Sequence, residues 1–161
     1  MAETLEMLSA RLRALEDREA IREIIACYGP LADSGNAAAV AALWAEDGSY
    51  AVKGMEPAQG RNAIAALIDG PVHRELMAQG CAHVLGPVAI ELHGDTATAR
   101  GHSVVFHHEH GAFAAIRVAA NRWHLARGAD GWQVTHRDNA LLDGEEAARA
   151  LLSRPVVRRR S

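Results

Sequence analysis

The chain has 161 residues, of which 49% are hydrophobic, and a formal net charge of −3. These values predict one soluble domain with a core of its own, and they give no indication of a nucleic-acid partner. No apolar run approaches the roughly 18 residues that a membrane-spanning helix needs, and residues 1–10 lack the apolar segment of a secretory signal, so we expect no membrane partner.

The first predicted element is a long helix from Thr4 to about Ala32. Its apolar side chains recur every three or four positions, which is typical of a helix with one buried face. Asp17 is a good helix cap, so we expect a break there and a second helix after it. Pro30 lies near the predicted end of this helix, and Gly35 follows as a stop signal.

Short elements follow the long helix. We expect Asn36 to cap an alanine-rich helix that ends around Trp44, and the chain then to form a strand over residues 48–52. Two more short helices are predicted over residues 61–68 and 71–79.

Residues 81–142 are predicted to form four long antiparallel strands joined by three turns. Gly94, Gly111 and the segment 128–131 mark the turns, between runs rich in Val, Ile, Thr and aromatic residues. Strands of about 12 residues exceed the usual length, so we expect a strongly curved sheet. The Gly86-Pro87 pair predicts a bulge that keeps one face of the first strand directed inward on both sides of it.

The last predicted helix covers residues 144–152. Helices that precede a strand meander indicate an α+β domain, here residues 1–152, with the helices on one side of the sheet. Residues 153–161 contain four arginines, and we expect a flexible basic tail without a function of its own. Cys27 and Cys81 are isolated cysteines, which favours a reducing, cytoplasmic location.

Several short motifs resemble the SnoaL-like proteins of the NTF2-like superfamily. They are DREAI at residues 17–21, ADSGN at 32–36, LWAEDG at 43–48 and the turns around Gly94 and Gly131. The resemblance covers residues 14 to 142. It implies a cone, in which a curved antiparallel sheet packs with N-terminal helices around an internal apolar pocket. Such pockets host isomerases, dehydratases, cyclases, oxygenase subunits and non-catalytic binders, so the fold alone does not decide function.

Within this superfamily the polar positions are most similar to those of the scytalone dehydratases. The resemblance places His83 and His108 on the two catalytic histidines of those enzymes, and Asp33 on their catalytic aspartate. It also places Tyr50 on one of two water-holding tyrosines and Asn121 on a substrate-binding asparagine.

Two positions depart from the scytalone dehydratase pattern. Ala32 stands where the second tyrosine would be, and Ala119 stands where a serine would contact the substrate. We therefore expect a substrate other than scytalone. Tyr28 lies four residues before Ala32, hence on the same helix face, and could supply a hydroxyl to the same region.

The pairing of Asp33 with His83 has a chemical meaning that does not depend on the family. A carboxylate fixes the tautomer of an imidazole and makes it a base suited to proton abstraction next to a carbonyl. The carboxylate should raise the pKa of His83 and burial should lower it, and we expect the carboxylate to dominate if the hydrogen bond is direct. The alternative is that Asp33 caps a turn and that His83 is an ordinary strand residue.

His102, Phe106 and His108 alternate along one strand and therefore share a face. If Phe106 faces the pocket, both histidines flank it, and His108 is the candidate acid for the leaving hydroxyl and for an alkaline limb in the pH profile. The neighbouring His107 and His110 are better explained as a polar hairpin tip. Adjacent histidines on a strand point to opposite faces, so we predict no metal site.

Three further residues are candidates for substrate binding. Tyr28 and Tyr50 could each contact the substrate or be core residues with one satisfied hydroxyl. Asn121 lies in mid-strand, where asparagine is disfavoured, so its amide either contacts the ligand or forms internal hydrogen bonds. Near the end of the last strand, His136, Arg137 and Asp138 either line the mouth of the pocket or form a surface ion pair, and we expect the ion pair. The three tryptophans are expected in the core or an interface.

These residues predict a lyase (dehydratase) or isomerase that needs no cofactor and removes a proton next to a carbonyl on a small, apolar, cyclic substrate. Two alternatives remain open: a non-catalytic ligand-binding or assembly module, and the small subunit of a ring-hydroxylating oxygenase. The outer face of the meander is expected to carry apolar residues, either Ile116 and Val118 or their odd-numbered neighbours, whichever set does not face the pocket. Such a face also predicts a homo-oligomer, either a dimer or a trimer.

Overall fold

The computed structural model describes residues 4–153, which form five helices and seven strands. The predicted basic tail, residues 153–161, lies outside this range except for Ser153. The helices are α1 (Leu5–Asp33), α2 (Ala37–Ala42), α3 (Gly60–Asp69), α4 (Pro71–Gln79) and α5 (Glu146–Leu152). The strands are β1 (Trp44–Val52), β2 (Ala58–Gln59), β3 (Cys81–Leu85), β4 (Ala89–His93), β5 (Thr96–Glu109), β6 (Ala112–Gly128) and β7 (Gly131–Leu141).

All seven strands belong to one curved, open sheet. Its order is β2-β1-β7-β6-β5-β3, and β4 also pairs with β5 beyond the end of β3. The pairs are antiparallel except β1 with β7, which is parallel. The predicted α+β architecture is confirmed, with one difference: α5 packs on β6 and β7 from the outer face, where Arg122 donates from Nε to the Leu151 carbonyl at 3.1 Å.

Helix α1 is continuous, so the predicted break at Asp17 is wrong. Asp17 does not cap a helix, because its carboxylate accepts hydrogen bonds from Trp132 Nε1 at 3.0 Å and Arg127 Nη2 at 2.7 Å. The second half of α1 buries Ile21 and Ile25 against the sheet. The leucines of its first turns are exposed. None of the helices in residues 4–153 is long and apolar enough to cross a membrane.

Two bulges decide which side chains face the helices. In β6 the pairing with β5 skips Ile116, and in β7 the pairing with β6 skips Thr135. Because side chains alternate along a strand, each extra residue moves the following side chains to the opposite face. In β7 this shift buries Val134 and then Arg137, while His136 lies half-buried on the other side.

The core lies between the inner face of the sheet and helices α1 to α3. Trp44, Trp123 and Trp132 are buried in this core, so the predicted core role is confirmed for all three tryptophans. Val88, Ile90 and Leu92 pack against this core, as the bulge prediction at Gly86-Pro87 required. The curved sheet and helices α1 to α3 thus enclose the interior of the cone.

Candidate active site

Asp33 and His83 form a direct hydrogen-bonded contact at the junction of α1 and β3. The Oδ1 atom of Asp33 lies 2.6 Å from Nδ1 of His83, and its Oδ2 accepts a hydrogen bond from the His83 backbone N–H at 2.8 Å. A carboxylate can only accept, so Nδ1 of His83 carries the proton in this pair. The other ring nitrogen, Nε2, then holds the lone pair of a base.

The local sequence explains why these two side chains meet. Asp33 is the last residue of α1, one turn after Gly29. A Cβ atom on Gly29 would lie 2.1 Å from the His83 carbonyl oxygen, so glycine is what allows the helix to approach β3 this closely. Strand β3 ends the main strand path of the sheet, which leaves the His83 N–H free to bond the carboxylate.

Burial lowers the pKa of His83 below its ordinary value of 6.5. The Asp33 carboxylate opposes this shift, and the nearby His73 and Arg137 add to it. The expectation that a direct hydrogen bond would let the carboxylate dominate is therefore wrong. Loss of hydration outweighs the attraction of one partly exposed carboxylate. His83 is consequently a neutral imidazole at neutral pH, the protonation state that a base needs.

His73 supports the pair from behind. It is buried, its Nε2 donates to the Ala32 carbonyl at 2.9 Å, and its ring centre lies 5.3 Å from that of His83. This bond fixes the last turn of α1, and with it Asp33. Sequence reasoning did not single out His73, because a lone histidine in a short helix gives no pattern.

Cys81 also contacts the carboxylate, with Sγ donating to Asp33 Oδ1 at 3.6 Å. Burial, and then the Asp33 carboxylate, raise the pKa of the Cys81 thiol to about 11, so the thiol is protonated at neutral pH. Asp33, Cys81 and His83 bring ligand atoms within 4.8 Å of one another and could hold a metal ion. Binding would require loss of the thiol proton, and also of the Nδ1 proton that bonds Asp33 if that nitrogen is the ligand.

His83 lines a cavity of about 110 Å³ inside the cone. An engineered apolar cavity of about 150 Å³ admits benzene, so the space in this structure is close to the size of a single small ring. The lining combines apolar, aromatic and basic side chains from α1 and five strands: Tyr28, Tyr50, Val52, His83, Leu85, Ser103, Val104, Val105, Arg117, Arg137 and Asn139.

Tyr28 and Tyr50 are both in this lining, and their role in substrate binding stays a prediction. Their rings meet edge to face, with centres 6.4 Å apart. Burial, and then the neighbouring Tyr50, raise the pKa of the Tyr28 hydroxyl, which is therefore protonated and can donate a hydrogen bond.

Arg137 is the centre of a buried polar network. Its Nε and Nη2 donate to Asn121 Oδ1 at 3.0 and 2.7 Å, and Asn139 Nδ2 donates to the same oxygen at 2.8 Å. Asn121 Nδ2 in turn donates to Ser103 Oγ at 2.8 Å. Asn121 thus forms internal hydrogen bonds and is absent from the cavity lining, which contradicts its predicted contact with the substrate.

Three aromatic rings surround the guanidinium group of Arg137. Its Cζ atom lies 4.3 Å from the ring centre of Tyr28, 4.5 Å from Tyr50 and 4.1 Å from Trp123. The residue is 2% exposed. The predicted surface ion pair in segment 136–138 exists only between His136 and Asp138, whose atoms Nε2 and Oδ1 are 3.1 Å apart.

The structure does not bring His102, Phe106 or His108 into the cavity lining. The odd-numbered residues of β5, such as Ala97, Ala99 and Ser103, face the core and the cavity, so the side chains of the even-numbered residues lie on the outer face. His102 is exposed there, and the ring of His108 packs against Phe113 with centres 5.0 Å apart. The prediction that His108 and His102 flank a pocket-facing Phe106 is therefore wrong, because it assigned the wrong face of β5.

A model of the SnoaL-like domain matches residues 13–138. The chain belongs to the SnoaL-like family. This confirms the family and the cone fold that the sequence motifs indicated. No curated protein sequence matches the chain. The more specific resemblance to scytalone dehydratases stays a prediction.

Solved structures agree with this assignment. An NTF2-like protein with a cystatin-like fold from Novosphingobium aromaticivorans is 61% identical, with 96% of this chain and 100% of that chain covered and a TM-score of 0.94. ActVI-ORFA from Streptomyces coelicolor shares the fold at 22% identity, with 78% and 96% covered and a TM-score of 0.67. A Catenulispora acidiphila protein in complex with S-DNPA also shares it, at 22% identity, 75% and 90% coverage and a TM-score of 0.66.

Proposed function

We propose that this SnoaL-like protein is a lyase of the dehydratase type or an isomerase that removes a proton next to a carbonyl of a small cyclic substrate. The observation that carries the proposal is the direct contact of 2.6 Å between Asp33 and His83, at the wall of an internal cavity. A neutral His83 with its Nδ1 proton held by Asp33 presents Nε2 as a base.

In the proposed reaction, His83 Nε2 takes a proton from the carbon next to the carbonyl, and the bonding electrons move into the carbonyl to form an enolate. In a dehydration, the enolate re-forms the carbonyl as the C–O bond of a neighbouring hydroxyl breaks. The proton held by His83 is returned to that hydroxyl, which leaves as water. In an isomerisation, the proton is returned to a different carbon. Neither route needs an external oxidant or reductant.

Tyr28 and Tyr50 are the proposed donors that hold the carbonyl or the leaving hydroxyl. They replace His108 in this role, since His108 lies on the outer face of β5. A protonated tyrosine in a buried site can donate to a developing negative charge where water is excluded.

Proton abstraction can be tested before the natural substrate is known. A panel of monocyclic ketones and β-hydroxyketones is incubated with the protein in D₂O, and deuterium entry next to the carbonyl and loss of water are followed by NMR. We expect at least one compound to exchange with the wild-type protein and not with His83→Gln. Equal exchange by both proteins across all active compounds would refute the role of His83. A non-catalytic binding module would show binding without exchange.

A further inference from the structure

Two arginines, and no aspartate or glutamate, line the cavity. They are Arg137 and Arg117, and the remaining lining groups that can carry charge are His83 and the two tyrosines. Burial keeps His83 neutral, as argued above. The cavity is therefore positively charged, a feature that the internal apolar pocket implied by the family resemblance did not include.

Neither arginine forms an ion pair with a carboxylate in residues 4–153. Arg117 Nη2 donates to the neutral Asn139 Oδ1 at 2.7 Å. Arg137 bonds the neutral Asn121, and its Nη1 atom is buried without a hydrogen-bond partner in this part of the chain. The carboxylate of Asp33 lies behind His83, where it bonds His83 and Cys81.

Arg100 is a buried arginine of the same fold that is paired with a carboxylate, and it provides a comparison for Arg137. It is 5% exposed, similar to Arg137, and like Arg137 it has one buried nitrogen, here Nε, without a hydrogen-bond partner in residues 4–153. The two arginines differ in their charge pairing, because Glu91 accepts from Nη1 and Nη2 of Arg100 at 3.1 and 3.0 Å. A buried charge is costly unless it is paired, and the outer-face arginine meets that requirement within the chain. Around Arg137, aromatic faces and one amide oxygen compensate only part of the charge.

We infer that the missing anion is supplied by the ligand: the substrate carries an anionic oxygen, a carboxylate or an enolate, that Arg137 and Arg117 recognise. This inference rests on the proposed function and narrows its substrate class. The planar guanidinium of Arg137 is held in one orientation by Asn121 and three rings, so it is preorganised for an oxygen in the cavity. Asn121 and Asn139 are positioning residues for the two arginines.

The inference is tested by isothermal titration calorimetry with two isosteric probes, benzoate and the neutral benzamide. We expect wild-type protein to prefer benzoate by about tenfold or more, the scale of one additional hydrogen bond to a charged group. Arg137→Lys and Arg117→Gln should each reduce this preference to below about threefold, which is less than half of that free energy. A matched control is Arg74→Gln, which removes the same charge from an exposed site in α4 and should leave the preference intact.

The probes distinguish the inferred anion site from the proposed reaction, and they distinguish a carboxylate from an enolate-like oxygen. Arg117→Gln is decisive if Arg137→Lys does not fold, because Arg117 is only half-buried. 4-Nitrophenol reports an enolate-like oxygen, and binding as the yellow phenolate in preference to the neutral phenol supports the inference even where benzoate binds weakly. Equal affinity for benzoate and benzamide, together with binding of nitrophenol in its neutral form, overturns it. A benzoate preference in a protein without proton exchange would refute the proposed function alone.

Discussion

The sheet carries an aspartate–histidine pair on each face, and only the inner pair leaves a nitrogen free. His83 uses Nδ1 for Asp33 at 2.6 Å. His136 uses both nitrogens, Nε2 for Asp138 at 3.1 Å and Nδ1 for Ser49 Oγ at 2.6 Å. The side chains of the outer pair are also about one-third exposed, against 15% and 24% for His83 and Asp33.

The difference teaches that the same two residue types become a base or a structural contact according to what else they touch. His83 lines a cavity and keeps a lone pair for a substrate. Both ring nitrogens of His136 have partners, one in its own strand β7 (Asp138) and one in β1 (Ser49). A histidine whose two nitrogens are engaged cannot accept a proton from a ligand without breaking one of those contacts or reversing its donor and acceptor.

The largest effect is expected from removing the inner carboxylate. Asp33→Asn should lower turnover by about 10²-fold or more, the scale of losing a positioned base or its orienting partner, with folding preserved. Asp138→Asn is the matched control on the outer face and should change turnover by less than about threefold. Steady-state kinetics with thermal unfolding as the folding check measures both. Similar losses in the two variants would show that the comparison of the two pairs is mistaken.

A second prediction places a carboxylate where the chain lacks one. Asn121→Asp puts an acidic oxygen against Arg137 Nε and Nη2, so the protein supplies the anion itself and benzoate affinity should fall about tenfold. Asn62→Asp, an exposed position in α3, makes the same change of charge as a control. Calorimetry measures the ratio of the two affinities, and equal benzoate binding in the two variants would contradict the prediction.

The inner pair was predicted because the family resemblance placed Asp33 and His83 on catalytic positions. The local pattern alone left open a turn cap and an ordinary strand histidine, although the chemistry of a carboxylate beside an imidazole agreed with the pair. The Gly86-Pro87 bulge, in contrast, was visible in the sequence itself as a glycine and a proline. The faces of β5 could not be assigned the same way. Its inner residues Ala97, Ala99 and Gly101 are small, because Trp123 and other large side chains fill the interior. The larger Phe106 on the outer face suggested the wrong parity.

The preferred surface position of Arg137 was wrong for a different physical reason, since the residue is buried and lines the cavity. A strict alternation from Trp132 and Val134 would direct His136 inward and Arg137 outward. The bulge at Thr135 reverses this order, and a bulge at a threonine between ordinary strand residues leaves no glycine or proline to signal it. The network of Arg137, Asn121 and Asn139 is a tertiary arrangement that only the sheet register reveals.

A third prediction concerns the outer face of β3, β5 and β6, where Val84, Val104 and Val118 are register neighbours. Val84 is 49% and Val118 43% exposed in the single chain, and Ile116 is 54% exposed nearby. We expect this row to be covered by a second copy, so that light scattering gives a dimer or trimer of the 17.2 kDa chain.

Val118→Lys should lower the measured mass towards that of one chain, because it places a charge in the proposed interface. Val72→Lys, at an apolar position of α4 that is 83% exposed, is the control and should leave the mass unchanged. A wild-type protein that is a monodisperse monomer at micromolar concentration would contradict the proposed interface.

The smallest effect is expected from pH, and its sign follows from His83. Burial lowers the pKa of His83 below 6.5, so the base stays neutral until the pH falls through that lower value. An unshifted histidine, with a pKa of about 6.5, would already be mostly neutral at pH 7, so the shift changes activity there by less than about twofold.

As the pH falls, the unfolded chain binds this proton before the folded chain does. The contribution of His83 to stability is therefore present above pH 6.5 and is lost between 6.5 and the folded pKa. An NMR titration of the His83 ring and the acid limb of kcat/KM should share a midpoint below 6.5, and a midpoint above 6.5 would reverse the sign argued here. His108→Gln should leave the whole pH profile unchanged, because its ring packs on Phe113 on the outer face.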